Sequence, residues 1–182
     1  MDDPVLVKRM AQRGYLLYYP SEEVHASDGN GGHDVFYAVH GNGLVVVGLD
    51  AAHPAVAARR ADATLPLSVS FDVDGQSYGA VAPKGKKKSG APKLRRGDAF
   101  CVVTVGAQTF KVRIGFPAPL IEVNTRLIDN PHFAVDLPAT DGYLAVFMPN
   151  EKAMEKWEAA EWRRHPGHVG LVSPVDNDNA GD

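Results

Sequence analysis

Cysteine is almost absent from this 182-residue chain: Cys101 stands alone, inside the apolar run Phe100-Cys101-Val102-Val103. An internal disulfide framework is therefore impossible, which fits a reducing compartment. With no cation beside it to stabilise a thiolate, Cys101 reads as a small buried hydrophobe. The opening Met1-Asp2-Asp3-Pro4 lacks the basic and apolar regions of a signal peptide. No apolar run approaches the ~20 residues of a membrane helix, so a soluble, internal protein without membrane contact is expected. Also missing are a GxSxG elbow, a Walker A lysine loop and a CxxC pair. His25, His33, His40, His53, His132, His165 and His168 are scattered without the spacing of a metal pair on one helix or strand. The carboxylate pairs Glu22-Glu23 and Asp72 with Asp74 suit solvated surface. The expectation is no catalytic residue, no metal site and no cofactor.

What is present is one concentrated block of positive charge. Lys84, Lys86, Lys87, Lys88, Lys93, Arg95 and Arg96 fall within residues 84–96 with no acid among them. Removing those seven charges from the net -3 leaves the remainder of the chain at -10. An acidic body with one basic segment points to a localisation signal, a docking site for an acidic or phosphate surface, or a solvated insert. No aromatic residue lies in the segment to stack on bases, so nucleic acid is the weaker partner.

The remaining pattern is that of short strands. Asp3-Pro4 starts a helix that Gly14 stops, and Tyr15 to Tyr19 is a strand ended by Pro20. Residues 26–33 form a glycine-rich loop. Val35 to His40 and Leu44 to Leu49 flank Gly41-Asn42-Gly43, a hairpin signal. His53-Pro54 to Arg60 suits a short helix, and the strict alternation from Leu67 to Val73 one half-buried strand turned by Asp74-Gly75. Phe100 to Val105 and Thr109 to Ile114 make a hairpin about Gly106-Ala107-Gln108, and Leu120 to Val123 and Tyr143 to Met148 are further strands. Asn150 caps a helix from Glu151 to Arg164 with Trp157 on its apolar face. These elements predict a single mostly-β domain over 1–149 with the 84–96 insert, a helix at 150–165 and a disordered tail at 166–182.

Leu120-Ile121-Glu122-Val123-Asn124, Leu127-Ile128-Asp129-Asn130-Pro131 and Asp141-Gly142-Tyr143-Leu144 resemble the C-terminal half of the glycine cleavage system H protein. That resemblance implies a lipoyl/biotinyl-carrier-like fold of barrelled hairpins, with a lipoylated lysine at one tip. Threading back from Glu122 puts Ala107 at the lysine's position, and the nearest lysine, Lys111, falls inside the following strand. The carrier chemistry should therefore be missing. His53-Pro54, Arg96-Gly97, Phe100, Glu122-Val123-Asn124, Leu127, Pro138, Gly142-Tyr143, Ala145-Val146 and Pro149 are similar, in this order and spacing, to the Abitram (Simiate) family of lipoate-free H-protein relatives. That family implies an actin-binding protein of the cytoplasm, nuclear speckles and cell projections, linked to filopodial dynamics and transcription. The alternatives are a scaffold subunit of another assembly, ciliary or nucleic-acid-associated, and more remotely a lipoyl carrier. The loops at 26–33 and 84–96 and the tail depart from the family pattern. Gly142 is read as permitting a tight turn and Asn124 as capping a helix before Thr125.

Overall fold

The computed structural model describes residues 15–20, 34–79, 90–150, 152, 154 and 162–164. The expected N-terminal helix, the 26–33 loop, Lys84 and Lys86 to Lys88, Trp157 and the tail at 166–182 lie outside the described residues.

Strands β1 (Tyr15–Pro20), β2 (Val35–His40) and β3 (Val45–Leu49) run antiparallel in succession, with Gly43 in the left-handed region (φ 85°) at the β2–β3 turn. A short helix, α1 (Pro54–Ala61), follows. Next come β4 (Leu67–Ser70), β5 (Asp72–Val73), β6 (Gln76–Ser77), β7 (Lys93–Leu94), β8 (Ala99–Val105), β9 (Gln108–Arg113) and β10 (Ala118–Val123). Helical turns α2 (Arg126–Asp129) and α3 (Phe133–Asp136) lead to β11 (Ala145–Phe147) and β12 (Trp162–Arg164). The strands form a seven-stranded sheet in the order β12-β1-β2-β3-β11-β10-β7, a three-stranded sheet β4-β8-β9 and the β5-β6 ribbon. The mostly-β class expected from the sequence is the one observed.

The large sheet is apolar on both faces. Val35, Tyr37, Val45, Val47, Ala145 and Phe147 point into the main core with the residues of β8, β9 and α1. On the opposite face Leu17, Phe36 and Ala38 form a second cluster, covered by Ala139 of the connection that follows α3. Gly48 makes that cover possible, because a Cβ there would lie 2.4 Å from the Phe36 ring and 2.5 Å from the Pro138 carbonyl oxygen.

Two elements differ from the sequence reading. The alternating run from Leu67 to Val73 is divided at Phe71: β4 pairs with β8, while β5 turns through Asp74 (φ 50°) and Gly75 (φ 83°) onto β6. The Ser70 hydroxyl accepts the Asp72 N–H at 3.1 Å, a local bond that competes with the ladder. The helix expected from Glu151 to Arg164 does not reach its predicted end. Lys152 and Met154 are helical, but Trp162–Arg164 is a strand paired with Tyr18–Pro20 of β1. The outer edge of β1 carries unpaired peptide groups, and a strand satisfies them where a helix cannot.

Candidate functional site

The β8–β9 hairpin is long, regular and closed by a two-residue turn. Val105 pairs with Gln108, Gly106 is left-handed (φ 58°), and Ala107 is exposed at the tip. A lysine there would project freely into solvent, and the chain has a methyl group instead. Lys111 is opposite Val102 within the ladder, and its ammonium meets Asp74 Oδ1 at 2.5 Å. It therefore lies along the hairpin's flank against the β5–β6 turn. Cys101 of β8 is buried, and burial pushes its thiol well above the ordinary range, so it behaves as a core residue.

The described part of the basic segment surrounds β7, the terminal strand of the large sheet. Lys93 pairs with Pro119 and is exposed, as are Arg95 and Arg96. Their backbone is held firmly. The Arg95 N–H donates to Asp98 Oδ2 at 2.7 Å, the Gly97 N–H (φ 86°) to the Ile114 carbonyl at 2.8 Å, and the Arg113 guanidinium to the Gly97 carbonyl at 2.8 Å. The fold thus brings Lys93, Arg95 and Arg96 onto one sheet edge with Arg113 behind them.

A second surface, not anticipated from the sequence, lies on the outer face of the large sheet. A cleft of about 650 Å³ is lined by Val46, Val146 and Glu122 from adjacent strands, by Tyr15, and by Ala139 to Asp141 and Tyr143. The Tyr143 hydroxyl donates to Glu122 Oε1 at 2.5 Å. Partial burial, then this bond and the nearby negative charge, push the phenol up to about 12. Asn124 does not cap α2, whose cap is Thr125 and which has no side-chain cap bond. Its buried amide instead donates to the carbonyls of Asp141 (2.7 Å) and Tyr143 (2.9 Å), clamping the cleft wall. Gly142 is not a left-handed turn residue either. A Cβ at Gly142 would lie 1.7 Å from the Phe133 carbonyl oxygen, so glycine is needed for close approach. The only advance signal for this site was that Glu122, Asn124, Leu127, Gly142 and Tyr143 all carry the family resemblance.

Among the described residues no group of three or more His, Cys, Asp or Glu side chains is placed to hold a metal ion, and no helix is long and apolar enough to cross a membrane. Fold and hairpin define the class as a mostly-β protein whose long β8–β9 hairpin ends in an exposed tip that bears no lysine. No family model matches the chain. It is 31% identical over 119 residues to Protein Abitram of Drosophila melanogaster, covering 64% of this chain and 53% of that one. To Protein Abitram of Dictyostelium discoideum it is 26% identical over 185 residues, covering 97% of this chain and 100% of that one. The Danio rerio protein is 29% identical over 111 residues, 60% of this chain and 61% of that one. The chain thus matches about half the length of the Drosophila relative and all of the Dictyostelium one, and its similarity to Abitram proteins is plain. A solved glycine cleavage system H protein from Mycobacterium marinum is similar over 74% of this chain and 84% of that one, with TM-score 0.46 and 16% identity.

Proposed function

We propose that this chain is a non-catalytic partner-binding protein whose basic sheet edge docks on an acidic macromolecular surface, with filamentous actin as the partner. The observation that carries this reading is the exposed position of Lys93, Arg95 and Arg96 around the terminal strand β7. Cations on a rigid edge, set against an otherwise acidic chain, steer the molecule in one orientation toward negative charge. Kinship with Abitram proteins supports actin as that surface, and with it a cytoplasmic and nuclear distribution reaching into cell projections. The alanine at the hairpin tip and the engagement of Lys111 with Asp74 weigh against the lipoyl-carrier alternative.

Co-sedimentation with filamentous actin across a salt series tests the proposal. Exposed charges are screened within ~10 Å at 0.1 M salt, so pelleting should weaken steeply as salt rises. Replacing Lys86, Lys87, Lys88, Arg95 and Arg96 by Ser should lower affinity on the order of tenfold or more at low salt. The melting temperature should stay nearly unchanged. Equal, salt-insensitive pelleting of the two proteins would eliminate the edge as the contact. Absence of pelleting at any salt would eliminate actin.

A further inference from the structure

The cleft on the outer sheet face is chemically the opposite of the basic edge. Among the described residues the charged side chains that line it, Glu122 and Asp141, are both carboxylates. Asp141 is already answered: Arg126 donates to its Oδ1 at 2.9 Å, and the same guanidinium lies 5.8 Å from the centre of the Phe133 ring. Among the described residues Glu122 has no such counterion. It accepts the Tyr143 hydroxyl, and among the described residues no cation pairs with it. A carboxylate has acceptor capacity for several donors, so one phenol leaves most of Glu122's unused.

The surroundings of Glu122 are fixed. It sits in β10 opposite Val146, and Tyr143 is held through its own carbonyl by Asn124. The floor of the cleft is aliphatic, with Val46 and Val146, and Tyr15 and Tyr143 add aromatic rings to the lining. Its volume falls in the range of small-ligand and side-chain pockets. An alkyl stem ending in a delocalised cation matches the aliphatic floor, the aromatic rings and the open carboxylate of this lining. The methylenes of such a side chain would cover the valines, its planar guanidinium would stack on a tyrosine ring, and its N–H groups would reach the open Glu122 oxygen. The Arg126–Asp141 pair beside Phe133 displays the same chemistry within the chain itself.

We propose that this cleft is a docking slot for an arginine side chain carried by an extended basic segment of a protein partner. It is separate from the basic edge, so the molecule would recognise charge of both signs on different faces.

The test is titration of the full chain with a fluorescein-labelled Gly-Arg-Gly-Arg-Gly peptide and its citrulline counterpart, with amide NMR shifts locating the site. The arginine peptide should bind with shifts at Val46, Glu122, Tyr143 and Val146, and the citrulline peptide should bind on the order of tenfold more weakly, as expected for loss of a charge-assisted hydrogen bond. Glu122→Gln should bring the arginine peptide down to the citrulline level while leaving actin pelleting unchanged. The citrulline comparison uses unaltered protein, so its outcome does not depend on how the variant folds. Absence of arginine-peptide binding, equal binding of the two peptides, or shifts confined to other surfaces would overturn the proposal.

Discussion

His53 shows how one residue can be committed to the core and still carry a consequence of its chemistry. Its ring is fully buried, in edge-to-face contact with Phe110 (centroids 5.6 Å apart). Nδ1 accepts the Ala55 N–H at 3.1 Å and caps α1, while Nε2 has no hydrogen-bond partner among the described residues. Burial lowers its pKa from 6.5 to about 4. Between those values the unfolded chain holds the extra proton and the folded one does not. Stability is therefore full above pH 6.5 and falls as pH drops toward 4, by up to about 3 kcal/mol. Denaturant unfolding at a series of pH values should show this slope, and His53→Asn, which keeps a capping side chain, should flatten it. An identical slope in both proteins would remove His53 as the cause. Gly142 makes a second residue-scale case. Gly142→Ala forces a methyl group onto the Phe133 carbonyl and should cost more than about 2 kcal/mol, read as a lowered denaturant midpoint. Only the fold could reveal this role, since in sequence Gly142 reads as an ordinary turn glycine.

Among the elements, the hairpins were the most legible. Gly41-Asn42-Gly43 and Gly106-Ala107 lie between runs of alternating or β-branched residues, and strand pairing follows from local chemistry alone. Ala107 stands at an exposed tip, as the threading required. Ala107→Lys should accordingly change stability by no more than about 0.5 kcal/mol, measured by thermal or denaturant melts. A loss well beyond that would mean the tip is packed. Elements that departed from the sequence reading did so mainly through non-local pairing, helped at Asp72 by the local bond to Ser70. The break at Phe71 depends on β8 and β6 being offered as different partners for β4 and β5, and a periodic pattern carries no information about which strand is adjacent.

On the scale of the whole molecule, the large sheet is assembled from both ends of the described chain. β1 and β12 pair, and β11 separates β3 from β10. Ending the chain after Asn150 removes β12 and exposes the edge of β1. The expected loss is about 1–3 kcal/mol for a three-residue ladder, together with a greater tendency to aggregate. An unchanged denaturant midpoint would show that β12 adds nothing to the fold. The sequence by itself determined what short-range chemistry governs: the mostly-β class, the hairpins and α1, and the concentration of positive charge at 84–96. Tertiary structure alone decided which strands became neighbours, that Lys93, Arg95 and Arg96 flank a terminal strand, and that Glu122 and Tyr143, 21 positions apart, meet in a cleft. The physical reason is range. Propensity, turns and alternation act over a few residues, whereas a cleft exists only where distant segments are brought together by burial of a shared core.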